Sequence, residues 1–454
     1  MIAELAKYER CKSTGLKWLG EIPSHWELNS LRNLTQSRSE RNRPELPLLS
    51  VERERGVIVR DREKASNHNF IPDDLTNYKV AKQGDLVINK MKAWQGSMGI
   101  APCDGIVSPA YYVFRFRFAD RAFAHRLLRS QPYVAHFAAA SDGVRIGQWD
   151  LSIPGMRNIP IIVPPADEQE LIVRFLDWAS VRLGKAIAAK RKVIGLLEEQ
   201  KQAIIHRAVT RGLDDSVPLK PSGIPWLGDI PTHWEVRRTK AVAHIKTGGR
   251  DTAHRVDMGL YPFFVRSQTV ERINSFSFDG EAVLTAGDGA GVAKVFHYID
   301  GKFDYHQRVY RFSDFRLVSG RFFFFYLGAT LRYEALDASA KSTVDSLRLP
   351  LLQCFPCVIP LMREQGEIVA FAEQETLTCD KTISRLNCEI ELLREYRTRL
   401  ISDVVTGKLD VREFARTLPA DVAEEAAELA SSELGDELSD TDDELDDELA
   451  GEPA

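Results

Sequence analysis

Two apolar patterns alternate along this chain, and the alternation happens twice. Between Asp167 and Arg211, Ile172, Phe175, Ala179, Leu183, Ala186, Val193, Leu197 and Ile204 follow mostly three- or four-residue spacing, which puts them on one helical face. The spacing predicts a 45-residue amphipathic helix with a coiled-coil-like seam, ending near Gly212 and roughly 65 Å long. Lys190 takes one seam slot, Gly184 and Gly195 weaken the interior, and Asp167 with Glu170 resembles an N-terminal cap. Ahead of this helix the pattern is mixed. Short β-like runs, Asp85–Asn89 and Ala110–Phe118, are set off by Gly, Asp and Pro. A helical stretch over Arg121–Ala140 offers Phe123, Leu127, Tyr133 and Phe137 to a core, and Ile159–Pro165 reads as a strand.

From Pro360 to Asp410 the long-helix pattern recurs at a constant offset of 196 from Pro164–Asp214. Glu168-Gln169 falls on Glu364-Gln365, Ile172 and Phe175 on Ile368 and Phe371, and Val209-Thr210 on Val405-Thr406. Each unit also opens alike. Trp18–Glu27 reads WLGEIPSHWE and Trp226–Glu235 reads WLGDIPTHWE, identical at eight of ten positions. The segments between differ: 138 positions separate Trp26 from Pro164, and 126 separate Trp234 from Pro360. The second contains a helical run near Arg321–Leu336. Two matched frames therefore hold two dissimilar heads. An antiparallel pairing of the two long helices would cover both apolar seams and leave the heads at opposite ends, related by an approximate twofold. The fold expected is α+β: two mixed α/β heads, an antiparallel helical spacer and an acidic tail.

Composition refines this picture. No apolar run nears the ~20 residues of a membrane span, and Met1–Lys12 lacks the apolar core of a secretory signal. Six irregularly spaced cysteines suit a reducing cytosol. Cys354 and Cys357 form a lone CxxC in an apolar run and read as buried thiols. The formal charge of −5 conceals an asymmetry. Asp421–Ala454 carries 15 acidic residues and no Lys or Arg, which leaves about +10 on the rest and makes a polyanion partner reasonable. The acidic tail itself should be disordered. It reads as a solubilising extension or, more sharply, as a mimic that shields the basic surface until DNA displaces it.

Catalytic constellations are missing. GDGAGVAK (Gly287–Lys294) fails the phosphate-loop pattern, with Ala293 before Lys294 and Val295 after it. GxSxG, HExxH, metal-ligand spacing and the Asn/Asp-Pro-Pro-Tyr segment of amino-methyltransferases do not occur. His25 and His233 repeat within the motif and read as structural hydrogen-bonders. Both heads are instead rich in groups that read nucleic acid, Arg, Lys, Asn and Gln at base edges and other Lys and Arg at phosphates. In the first these are Arg41, Arg43, Asn89, Lys90, Lys92, Trp94, Gln95, Arg145 and Gln148. In the second they are Arg250, Arg266, Gln268, Lys294, Gln307, Arg308 and Lys341.

These features resemble the specificity subunits of type I restriction–modification systems. The likeness rests on the repeated G-(I/L)-x-W-L-G-(E/D)-I-P-x-H-W-E at Gly15 and Gly223, and on P-x-x-x-E-Q at Pro164 and Pro360. It rests also on the Val-Thr helix ends and on GIVSPAYYVFRF at Gly105–Phe116. It covers nearly all of 13–414 and leaves the acidic tail unexplained. It implies an N-terminal arm (1–12), target-recognition domains at 13–158 and 217–356, spacer helices at 159–216 and 357–415, and a tail at 416–454. It further implies that each recognition domain reads one half of a bipartite double-stranded DNA site, while the spacer sets half-site spacing and docks two methylation subunits. Restriction (endonuclease/translocase) subunits would join for cleavage. The chain would be non-catalytic, cytoplasmic and without a membrane partner. Cofactors would lie elsewhere: S-adenosylmethionine on the methylation subunit, ATP and Mg on the restriction subunit, and no metal or cofactor in this chain. Two other readings stay open, a coiled-coil scaffold whose heads bind proteins and a nuclease with dispersed carboxylates.

Overall fold

The computed structural model describes residues 5–53, 55–60, 74–145, 148–289, 292–339, 346–419, 422 and 424–426, with the backbone alone at 142–145, 148 and 335–339. Its principal helices are α1 (Arg121–Leu128), α2 (Gln131–Ala139), α3 (Ala166–Arg211), α4 (Gly320–Ser339), α5 (Met362–Val405) and α6 (Arg412–Thr417). The long helices expected from the apolar spacing are α3 and α5, of 46 and 44 residues. Neither Gly184 nor Gly195 interrupts α3. The chain packs as two units, Met1–Ala188 with Ile390–Ser431 and Ala189–Glu389 with Ser432–Ala454.

In the first unit the repeated motif forms a junction. Trp26 and Ile22 are fully buried in one core with Ile172 and Phe175 of α3 and with Leu400 and Val404 of α5. Glu168, in the first turn of α3, is 3% exposed and accepts from the Tyr8 hydroxyl (2.6 Å), with His25 Nε2 at 2.6 Å from its other oxygen. A buried carboxylate needs such partners to offset its lost hydration. Burial, and then the bond to Glu168, raises the Tyr8 phenol above its ordinary range, so it stays the donor. Gln169 is the second clasp. Its Oε1 accepts from the Asp120 amide (2.9 Å), and its Nε2 donates to the Pro164 carbonyl (2.7 Å). Asp120 in turn caps α1, accepting from the Phe123 amide at 2.7 Å. The strand leaving the motif, Glu27–Ser30, pairs antiparallel with Pro160–Val163, the strand that leads into α3. The segments at residues 6–8 and 410–412 complete this junction. The Asp410 amide donates to the Ala6 carbonyl at 2.8 Å, and the Arg412 guanidinium lies 4.9 Å from the centre of the Tyr8 ring.

The second unit repeats the junction from its own residues. His233 Nε2 lies 2.9 and 3.0 Å from the two Glu364 oxygens, and Trp234 Nε1 donates to Glu364 at 3.1 Å. Gln365 accepts from the Ser319 amide and donates to the Leu317 and Pro360 carbonyls. Glu235–Arg238 pairs antiparallel with Pro356–Ile359. Within this unit Lys190 meets Glu389 at 2.5 Å and Lys201 meets Asp380 at 2.7 Å, so α3 and α5 run antiparallel.

The heads differ in architecture. The first is built on a four-stranded antiparallel sheet of β1 (Thr35–Ser37), β2 (Leu86–Asn89), β3 (Met98–Ile100) and β4 (Tyr111–Phe116), in the order β1-β4-β2-β3. Beside it stands a hairpin of β5 (Ser141–Arg145) and β6 (Gln148–Leu151). The second contains β7 (His244–Thr247), β8 (Tyr261–Phe264), β9 (Val270–Ile273), β10 (Phe278–Ala286), β11 (Phe296–Tyr305) and β12 (Val309–Ser313). Their order is β7-β12-β10-β11-β8-β9, with β8 and β11 the parallel pair. α4 buries Phe322, Phe323, Tyr326 and Leu327 in the same core as Val283 and Phe312 of this sheet.

Several expectations need correction. Arg121–Ala140 is two helices, not one, because Pro132 lacks an amide hydrogen and its ring excludes a continuing turn. Phe123, Leu127, Tyr133 and Phe137 are all buried as expected. Asp167 and Glu170 are exposed; the anchoring groups at the start of α3 are Glu168 and Gln169, which face the motif. Val193 is 45% exposed and Leu197 and Ile204 half-buried, so the apolar seam thins there. Of the CxxC pair, Cys357 is buried but Cys354 is exposed. Among the described residues no group of His, Cys, Asp and Glu is arranged to hold a metal, and no helix is long and apolar enough to cross a membrane.

Both long helices end on glycines in the left-handed region, Gly212 (φ +78°) and Gly407 (φ +79°). A Cβ at Gly407 would stand 2.5 Å from Pro23 Cδ and 2.9 Å from Trp26, whereas one at Gly212 would meet Trp234 at an ordinary 3.4 Å. Gly212→Ala should therefore cost about 1 kcal/mol, for backbone strain alone, and Gly407→Ala about 2–3 kcal/mol. Denaturant melts of the two variants check the ranking; equal losses would show that Trp26 does not hold the α5 end.

Candidate nucleic-acid interface

In the first head the candidates gather on one locked turn. Asn89 ends β2, and its Oδ1 accepts from the Met91 amide at 3.2 Å. Ala93–Gln95 form a 3-10 turn closed by Gly96 in the left-handed region (φ +90°). Trp94 Nε1 donates to the Met91 carbonyl at 3.1 Å. Lys92 is exposed at the start of this turn and Gln95 half-buried at its end. The β5–β6 hairpin packs beside it. The Trp149 ring lies 5.1 Å from Trp94, Lys90 pairs with Asp150 at 3.0 Å, and the Leu151 amide donates to the Lys90 carbonyl. The Asp150 hydrogen bond raises the Lys90 ammonium above its ordinary range, keeping it charged. Arg145 and Gln148 face each other across this hairpin, and their side chains lie outside the described residues. Asn89, Lys90, Lys92, Trp94 and Gln95 are thus assembled with the hairpin that carries Arg145 and Gln148.

Arg41 and Arg43 are exposed on a neighbouring segment, with Arg43 paired to Glu45. Arg41 is joined to Lys79 by a backbone bridge. Lys79 donates to the Tyr111 carbonyl at 2.6 Å. Its ammonium is lowered first by burial and then by the charges of Arg41 and Lys90, so it links the two clusters. Sequence reasoning missed Lys79 and Trp149. For Trp149 a signal existed, a second tryptophan beside Gln148.

The second head brings together loops that are far apart in sequence. Arg250 pairs with the fully buried Asp304 (3.2 Å), which also accepts from Ser275 and Ser277. The Gln307 side-chain amide donates to Asp251 at 3.2 Å. Arg266 (3.3 Å) and Arg308 (3.0 Å) converge on opposite oxygens of Asp288. Between them His306 is buried, and burial followed by the Arg266 charge lowers its imidazole below the ordinary range; it is neutral near pH 7. The Gly248 backbone makes this convergence possible, since a Cβ there would lie 2.1 Å from the Tyr305 carbonyl oxygen. Arg250, Arg266, Gln307 and Arg308 form one cluster. Gln268 is exposed two residues after Arg266, and Lys294 is exposed on the turn between β10 and β11. Lys341 lies outside the described residues. The GDGAGVAK segment joins two antiparallel strands rather than a strand to a helix, so it has no phosphate-loop geometry.

The cluster is close to electroneutral. Its guanidiniums are buttressed by Asp288 and Asp304, and its Gln307 amide by Asp251, residues that a search for basic groups overlooks. A guanidinium with five donors in a fixed fork, held by one carboxylate, is oriented before a ligand arrives. Such an arrangement favours selective bidentate recognition over bulk charge neutralisation.

Known proteins bear on this geometry. Residues 231–392 match the family model described as type I restriction modification DNA specificity domain. The chain is 26% identical over 182 residues to the type I restriction enzyme EcoDI specificity subunit of Escherichia coli, covering 40% of each chain. It is 32% identical over 91 residues to the MjaVIII specificity subunit of Methanocaldococcus jannaschii, covering 20% of each. The matched segments thus span less than half the length of these curated relatives. A solved structure from work on complex assembly and conformational transition of the type I R-M system superposes with a TM-score of 0.60 at 16% identity. That likeness, over 86% of this chain and 99% of the other, is one of fold. On the repeated motifs and these matches together, the chain is similar to type I restriction–modification specificity subunits, and its residues 231–392 match the DNA specificity domain of that family.

Proposed function

We propose that each head reads one half of a bipartite double-stranded DNA site, and that the α3/α5 spacer fixes the separation of the halves and docks two methylation subunits. The observation that carries this is the pairing of one repeated junction with two unlike heads, each presenting an organised set of Arg, Lys, Asn or Gln side chains. Matched anchoring with different reading surfaces is what an asymmetric two-part site requires. The first head offers amide, ammonium and indole groups on a rigid turn. The second offers buttressed guanidiniums suited to guanine O6 and N7. The remaining candidates, including Arg41, Arg43, Gln268, Lys294 and Lys341, would contact phosphates and set register. The chain acts in the cytoplasm as a non-catalytic reader. Methyl transfer with S-adenosylmethionine belongs to the methylation partner, and ATP- and Mg-dependent cleavage to restriction subunits.

Methylome sequencing of cells that carry the variants beside the methylation partner tests the independence of the heads. Lys92→Ala or Arg145→Ala should relax one half-site only, and Arg308→Ala the other; equal relaxation of both halves by either change would sink the assignment. Inserting four residues into one spacer helix should change the permitted gap between half-sites and leave both half-site sequences intact. An unchanged gap removes the ruler. Asp288→Asn frees two guanidiniums from their shared carboxylate. It should raise affinity for unrelated DNA about three- to tenfold and steepen the salt dependence, read by anisotropy titrations at several salt concentrations. Binding indifferent to salt in the parent chain would favour protein-binding heads instead.

A further inference from the structure

The acidic C-terminal segment is the largest feature of the sequence that DNA reading leaves unused, and the structure shows where it begins. After α6 the chain turns back along α3 within the first unit. The Leu418 carbonyl accepts from the Arg174 guanidinium, Val422 is 5% exposed, and Glu425 pairs with Lys185 at 3.1 Å. Its described part is therefore rooted by a hydrogen bond to the Leu418 carbonyl, the burial of Val422 and the Glu425 ion pair, and it advances in the direction of α3. From Trp178 to Leu197, α3 carries Arg182, Lys185, Lys190, Arg191 and Lys192 and no acidic residue. Arg182, Lys185 and Lys192 are exposed. Lys192 lies one heptad past Lys185, about 10 Å along the helix. Beyond Glu425 the chain has 29 residues with 12 acids and no Lys or Arg, ample to reach it.

We propose that the acidic residues after Glu425 dock on this basic run of α3 and act as an intramolecular competitor of DNA. The competitor role rests on the DNA-reading function above; the docking does not. Tethering gives the segment a millimolar effective concentration at its target, so individually weak ion pairs suffice. A polyanion seated on the basic chain lowers the attraction for DNA phosphates by occupying cations and by adding like charge. Neither effect blocks a cognate site whose base contacts supply extra affinity, so the segment suppresses unspecific binding most.

The test uses the full chain in two forms, the parent and a variant with the 12 acids after Glu425 replaced by Asn and Gln. An amine-acetylating reagent with mass-spectrometric readout reports Lys192 accessibility without DNA. Lys192 should react several-fold more slowly in the parent at low salt; equal rates overturn the docking. Anisotropy titration with unrelated duplex DNA reports competition. The neutralised variant should bind roughly tenfold tighter near 50 mM salt, with the gap closing as salt screens the segment. Slow Lys192 acetylation with equal DNA affinities overturns the competitor role and keeps the docking. If neither form binds DNA while Lys192 remains protected, the DNA-reading function fails and the competitor role fails with it.

Discussion

A glutamate carboxylate at the start of each long helix, buried at Glu168 and partly buried at Glu364, organises this molecule. Glu168 and Glu364 each receive the histidine of the local motif, with Tyr8 added in the first unit and Trp234 in the second. Removing a carboxylate from water costs several kcal/mol unless its oxygens are fully satisfied, so the pairing admits little variation in geometry. The next residue, Gln169 or Gln365, binds the backbone segment that leads into the first helix of its head. Two consecutive side chains thus fix motif, long helix and head to one another. The duplicated motif belongs to the frame, and the frame places few demands on what the head contains.

That freedom accounts for the heads. One hangs a four-stranded sheet and a tryptophan-bearing hairpin from the junction, the other a six-stranded sheet with one parallel pair. Their polar surfaces follow different physics as well. Lys90, Lys92 and Gln95 sit on a turn stiffened by its own amides and by Trp94 against Trp149. Arg250, Arg266 and Arg308 are instead held by carboxylates from other loops. The first arrangement presents donors around an aromatic platform; the second presents preset guanidinium forks. Two half-sites read by such different chemistry would differ in sequence.

The frame was far more legible in the sequence than the interface. An offset of 196 held over some fifty residues, with matched Trp, His, Glu and Gln, specifies two matched long helices and two matched junctions. Helix periodicity likewise identified Phe123, Leu127, Tyr133 and Phe137 as core. It failed where a single residue overrides periodicity, as Pro132 does between α1 and α2. It also failed at Val193, since an apolar residue in register is not thereby covered. The interface was legible only as a census of basic and amide groups. Its partners come from distant loops: Asp304 is 54 residues from Arg250, and Asp288 is 22 from Arg266. Local patterns carry no information on such pairings, which arise when β10, β11 and β12 bring their turns together.

Register in the spacer is set by charge as much as by apolar packing. Along α3 from Arg191 to Ile204 every residue retains measurable exposure, and this is where Lys190 and Lys201 meet Glu389 and Asp380. A seam of interchangeable leucines tolerates slippage by a turn or a heptad, because each apolar group finds another. Two ion pairs spaced 11 residues apart on one helix and nine on the other do not, since any slip separates both. Such pairs add little stability where exposed. Their use is specificity, as with a polar residue at one seam position of a coiled coil. The ruler role proposed above requires a single register more than a strong one, and charged contacts at this part of the seam supply that.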